Sequence, residues 1–276
     1  VEATFRMSGR IAAQTAKQVV LQRLREAERE LLLAEYAHRV GEILGGRVER
    51  MEPYGLVVSL GRTEALLPKE ETVSTERYRS SQTLQFYLRE VARTTRGPEL
   101  ILSRSHPDLV KRLFEREVPE ISTGIVEING IAREPGFRTK IAVSSKQEGV
   151  DPVGSCVGLR GIRIQNIVTE LQGEKVDVIQ WDEDPAVLIG NALSPAQVIK
   201  VEFHPDEGSA SVYVPERHLS LAIGREGQNV RLAAKLTGWR IDILGPVELP
   251  VDGRVEEAVT VGSVASIEES SADALV

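Results

Sequence analysis

Apolar side chains recur at helical spacing near the amino terminus, where Ile11, Val19, Leu24 and Leu31 stand among Lys, Arg and Glu. The pattern predicts one long connecting helix over residues 8–40, capped by Ser8 and carrying a solvated charged face. From Gly41 the period shortens. Val48, Leu56 to Leu60, Ala65 to Leu67, Leu84 to Val91 and Leu100 to Leu102 read as five short strands. Gly45-Gly46, Pro53-Tyr54-Gly55 and Gly61 are expected to punctuate them. Five such strands over residues 41–106 suit a small closed barrel of the OB type.

After His106-Pro107 helices and strands mix. Asp108 to Glu117 is expected to be helical, Ile125 to Ala132 and Lys140 to Val143 to be strands turned at Pro135-Gly136, Gly161 to Leu171 to be helical, and Val176 to Trp181 to be a strand. The order then recurs: a helix over Asp184 to Leu193, strands at Val198 to Phe203 and Ala210 to Val214, helices at Glu216 to Ile223 and Gln228 to Leu236, and a strand from Trp239 to Leu244. Both halves carry a G-x-x-G string, Gly158-Leu159-Arg160-Gly161 and Gly224-Arg225-Glu226-Gly227, followed by a helix, a glycine and a β-rich run. This is the signature of an internal duplication.

Composition changes this picture in two places. The net charge of -7 argues against a nucleic-acid partner until its distribution is examined. From Glu248 onward seven acidic residues (Glu248, Asp252, Glu256, Glu257, Glu268, Glu269, Asp273) face Arg254 alone, which leaves 33 basic and 34 acidic side chains on the rest of the chain. A near-neutral body has room for local basic faces, and the acidic, ring-poor stretch 248–276 is expected to be disordered. Its charge suggests an autoinhibitory tail that competes for a basic face. Aromatic residues are 4% of the chain, so any stacking surface rests on few rings. The single cysteine, Cys156, allows no intrachain disulfide and fits a reducing cytoplasm. No apolar run reaches membrane-spanning length. The chain opens at Val1, which reads as the start of a fragment.

A G-x-x-G turn between two helices suits one physical task. Glycines let backbone approach a sugar-phosphate chain closely, and the N–H groups and dipole of the next helix favour anions there. Arg160 and Arg225 lie inside the two turns, and Arg163 and Arg231 in the first turn or so of the helices that follow. Glu226 is the awkward residue, since a carboxylate repels phosphate, so the second turn is expected to bind more weakly or to point Glu226 outward.

The strings Gly9 to Gln18, Leu102-Ser103-Arg104-Ser105-His106-Pro107, Asn191-Ala192-Leu193-Ser194-Pro195-Ala196 and Gly227-Gln228-Asn229-Val230-Arg231-Leu232-Ala233 run through most of the chain. With them the sequence resembles the NusA family of bacterial transcription elongation and termination factors. The resemblance implies a linker helix over 1–40, an S1-type OB barrel over 41–106, two tandem α+β KH domains of the second topological type over 107–183 and 184–247, and the acidic tail over 248–276. It implies a cytoplasmic protein that associates with RNA polymerase, the single-stranded nascent transcript and other antitermination factors to modulate pausing, termination and antitermination. It places RNA on Gly158, Leu159, Arg160, Gly161, Arg163, Gly224, Arg225, Glu226, Gly227, Gln228, Asn229 and Arg231, with Lys146 and Tyr54 added as candidates. Two departures stand out. The family's amino-terminal polymerase-binding domain is reduced to its closing helix, and where S1-type barrels often carry two rings only Tyr54 is kept, with Val57 at the second position.

No constellation points to catalysis. His38, His106, His204 and His218 fall in different elements, Cys156 has no neighbouring base, and neither a metal-ligand spacing nor a phosphate loop for nucleoside triphosphates occurs. No cofactor, membrane or small-molecule substrate is expected. The alternatives are a protein-binding scaffold with weak RNA contact and an RNA-processing enzyme with accessory domains. The first predicts no connected basic face; the second predicts metal-dependent RNA turnover.

Overall fold

The computed structural model describes residues 2–94 and 97–246. The acidic stretch 248–276 therefore lies outside the described residues. Residues 2–7 contain neither glycine nor proline, so nothing halts helix formation at Ser8, and α1 runs from Glu2 to Ala37. Ser8 is inside it rather than capping it. Tyr36, near its end, is buried against the barrel interior.

The first compact unit ends at Arg112 and the second begins at Leu113. In the first, β1 (Ile43–Glu52), β2 (Gly55–Ser59), β3 (Glu64–Pro68), β4 (Thr83–Thr94) and β5 (Gly97–Ser103) close into a barrel in the order β1-β2-β3-β5-β4. Alternating positions fill it, among them Val48, Val58, Leu67, Phe86, Leu88 and Leu102. Gly45-Gly46, expected to break a strand, lie within β1. A Cβ on Gly46 would come 2.4 Å from Val58 Cγ1, so this glycine is set by packing and not by a turn.

The string Leu102 to Pro107 is a latch on this barrel. Arg104 and Glu76 form an ion pair with side chains 0% and 1% exposed, and Arg104 Nη1 also donates to Gln85 O at 2.7 Å. Ser105 Oγ donates to Glu71 at 3.0 Å, and His106 stacks on Tyr87 at 4.5 Å between ring centroids. Burial and the Glu76 charge push the Tyr78 hydroxyl well above the usual phenol range.

α2 (Pro107–Glu117) spans the division between the units. The second unit then holds α3 (Pro119–Ser122), β6 (Val126–Glu134), β7 (Arg138–Ser145), α4 (Pro152–Val157), α5 (Ile162–Glu170) and β8 (Lys175–Gln180). The same order repeats as α6 (Pro185–Ala192), β9 (Lys200–His204), β10 (Ser209–Tyr213), α7 (Leu219–Ile223), α8 (Gln228–Thr237) and β11 (Arg240–Leu244). Each repeat has a three-stranded sheet, β6-β7-β8 or β9-β10-β11, in which the central strand pairs antiparallel with the first and parallel with the last. The fold is thus an OB-like barrel followed by two KH domains. α4 was not anticipated; its signals are Asp151, which accepts from Val153 N–H at 3.0 Å as N-cap, and Pro152 in the first turn.

The two repeats are joined through one face of the first sheet. Strand register puts Gly130, Lys140 and Ile179 on a single face together with Glu134. Ile179 is 4% exposed within the core of the second repeat, beside Ile189, Leu193 and Ala233. A Cβ on Gly130 would stand 3.1 Å from Leu236 Cδ1 of α8. The Lys140 side chain is 0% exposed; its Nζ donates to Asp177 at 3.2 Å and to Ser194 O, across the junction, at 3.3 Å. Burial, aided by Arg138 and opposed by Asp177, pushes the Lys140 ammonium down to about 8.

Candidate nucleic-acid interface

Each repeat places its G-x-x-G string between two helices, and the two turns have nearly the same backbone. Gly158 and Gly224 both have φ 74° with ψ 173° and 176°. At the third position Arg160 and Glu226 both take φ 53°, and the closing glycines Gly161 and Gly227 take φ 75° and 72°. Three left-handed or otherwise unusual residues in four are tolerable because two are glycine. Each turn closes through a hydrogen bond between its glycines, Gly161 N–H to Gly158 O at 3.0 Å and Gly227 N–H to Gly224 O at 3.3 Å, and the next N–H, of Ile162 or Gln228, donates back to Leu159 O or Arg225 O. α5 and α8 then begin without a side-chain cap. Two helix starts without a side-chain cap, each with the positive end of its dipole outward, are suited to anions.

The first turn presents Leu159 and Ile162, 84% and 62% exposed, on either side of the exposed Arg160. Ile162 was not singled out from sequence, although its place directly after the turn was a usable signal. The second turn is more polar: Arg225 and Glu226 point outward with side chains 91% and 82% exposed, 3.6 Å apart as an ion pair. Lys146 is exposed and paired with Glu127. Arg160 has no acidic partner among the described residues.

Other expected contacts sit differently. Arg163 is half-buried, bonded to Glu120 Oε2 at 3.0 Å and to Ser155 O at 2.6 Å. Arg231 and Gln228 reach across the junction to Glu134, at 2.5 and 2.9 Å. Burial disfavours the Glu134 carboxylate, but these two partners outweigh it and hold the group below the usual range. Asn229, expected beside the RNA, is instead 0% exposed. Its Nδ2 donates to Leu193 O, Leu221 O and Ala222 O at 3.0 to 3.2 Å. The reason is steric as well as polar, because a Cβ on Gly224 would lie 2.7 Å from Asn229 Cβ.

In the barrel unit, Tyr54 is exposed at the β1–β2 turn and bonded to Glu52, whereas Val57 is buried in the wall. Phe86 and Tyr87 are both buried and offer no stacking surface. In the second unit, Phe137 at the β6–β7 turn is 56% exposed, a ring that sequence reading passed over. Cys156 is buried beneath the first turn; burial, with the nearby Glu120 charge, pushes its thiol up to about 12, which makes it inert at neutral pH. Among the described residues no group of His, Cys, Asp and Glu could hold a metal ion, and no helix is long and apolar enough to cross a membrane.

Comparison with known proteins agrees with this architecture. Residues 104–181 match the model of the NusA-like first KH domain, 185–248 that of the NusA-like second KH domain, and 1–30 that of the NusA N-terminal domain. The transcription termination/antitermination protein NusA of Halalkalibacterium halodurans is 48% identical over 273 residues, 99% of this chain and 72% of that protein. The Bacillus subtilis protein of the same name is 52% identical over 243 residues, covering 88% and 66%. That of Mycobacterium tuberculosis is 48% identical over 263 residues, covering 92% and 76%. The chain thus spans about two thirds to three quarters of these relatives' lengths.

Proposed function

The chain belongs to the NusA family of transcription termination/antitermination proteins, and we propose that it acts by holding an extended single strand of RNA across both of its G-x-x-G turns while associated with RNA polymerase. In the cytoplasm the strand is the nascent transcript, and the outcome is modulation of pausing, termination and antitermination together with other antitermination factors. The protein works as a binder and not as a catalyst.

One observation carries the reading: two turns of matching backbone, each opening an uncapped helix, are held by one junction in a single unit. The N–H groups at the starts of α5 and α8 receive phosphate, and Arg160 and Arg225 add charge. Leu159 and Ile162 offer apolar contact to unstacked bases and sugars next to the first turn. Gln228 and Arg231 border the second turn, while Lys146 and Tyr54 are peripheral contacts. The scaffold alternative draws its support from the acidic partners of Lys146, Arg163, Arg225 and Arg231, which mute the basic character of this face.

The test is fluorescence anisotropy of a labelled single-stranded RNA with the chain and with a variant carrying Leu159→Asp, Arg160→Asp, Arg225→Asp and Gln228→Asp. Loss of binding in the variant supports the path. Equal binding by both proteins would refute it, and binding by neither favours the scaffold, with polymerase capture as the next measurement.

A further inference from the structure

The duplication aligns Arg163 with Asn229, each two residues beyond the closing glycine of its turn. Their chemistry differs, but their contacts correspond one by one. Both press on the first glycine of the turn: an added Cβ would meet Arg163 Cγ at 2.7 Å in one repeat and Asn229 Cβ at 2.7 Å in the other. Both donate to carbonyls of the helix that enters the turn, Arg163 to Ser155 O in α4 and Asn229 to Leu221 O and Ala222 O in α7. Both also reach the helical segment just ahead of the first strand of their own repeat, Arg163 to Glu120 in α3 and Asn229 to Leu193 O at the end of α6.

We infer that Arg163 and Asn229 are positioning residues, clamps that hold each turn in its RNA-receiving shape without touching RNA. The inference rests on the RNA path proposed above. It also gives the first glycine of each turn a second role, since only glycine leaves room for the clamp. A turn with only a few local backbone hydrogen bonds and three left-handed or unusual residues has competing shapes. Releasing a clamp lowers the fraction of turns that are competent, and apparent affinity falls in the same proportion.

Charge makes the first clamp testable by sign. If Arg163 met phosphate, removing Glu120 would free it and tighten binding. A clamp anchored on Glu120 predicts weaker binding from the same change. The experiment measures RNA affinity of the full chain over a range of salt for Arg163→Met, Glu120→Ala, Asn229→Leu and, as a phosphate-contact control, Arg160→Met. Affinity is expected to fall about tenfold in Arg163→Met and about threefold in Glu120→Ala, with the salt slope of the parent. Arg160→Met is expected to lower that slope by about one. Asn229→Leu replaces a buried group, so its affinity is read only if its thermal unfolding remains cooperative; the half-exposed Glu120 keeps the test open otherwise. A slope reduced by about one in Arg163→Met, tighter binding in Glu120→Ala, or unchanged affinity in both would overturn the clamp. If the four-fold Asp variant of the turns bound RNA like the parent, the RNA path itself would fail and the clamp with it.

Discussion

At the scale of single residues, adjacency to a turn proved a poor guide to what a side chain touches. Arg163, Asn229 and Arg231 all follow a G-x-x-G string, yet Asn229 faces three backbone carbonyls and the two arginines face carboxylates. Spacing along the chain carries the periodicity of a helix but not which neighbours other elements bring to it. Lys140 makes the same point more sharply, for it reads as an ordinary strand lysine until the second repeat covers it. Its burial leads to a pH prediction. Below about 8 the ammonium is charged in both the folded and unfolded chain; between about 8 and 10.5 the unfolded chain keeps a proton that the folded one has shed. Stability from this group therefore rises with pH across that window. The stability of the parent minus that of Lys140→Met should increase between pH 7.5 and 10, read from urea unfolding. A difference that stays flat would show that the lysine is charged in place.

Among elements, the strands and helices were largely legible because period two and period 3.6 are local properties. The five barrel strands, both sheets and the helices flanking the turns, α4 excepted, lie where apolar spacing puts them. What failed was punctuation: Gly45-Gly46 are inside β1, Gly46 because the barrel wall needs room opposite Val58, and Ser8 is inside α1 because nothing before it ends a helix. The junction was invisible for a different reason. Glu134 lies 94 residues from Gln228 and 97 from Arg231, and no pattern within a window reports such a pairing. Because Glu134 fixes the start of α8 to the first sheet, Glu134→Ala should loosen the spacing between the turns. Affinity for an RNA long enough to span both should drop several-fold toward that of a single turn, while affinity for a short RNA filling one turn stays level. Equal losses for the two lengths would remove the spacing role.

For the whole molecule, charge distribution decides how RNA binding responds to ionic strength. Most cations near the turns already have acidic partners, so few counterions are released when a strand arrives. Between 50 and 200 mM salt, affinity should fall by about tenfold, well short of the losses of about a thousandfold or more shown by proteins making many phosphate contacts. A steep dependence, measured by anisotropy across that range, would mean that the pairs open and their arginines reach the backbone. Overall charge, at -7, concealed this, because the local arrangement and not the total sets the field that RNA meets.

The first sheet has an outer face that is also the floor of its neighbour: Ile179 belongs to one repeat by chain and to the other by core. The two repeats therefore form a pair that can be transplanted only whole. Anyone who severs the chain between residues 181 and 185 to obtain a lone repeat should expect a sticky, poorly behaved half. The smallest portable cassette for grafting onto another protein begins before α2 and ends after β11.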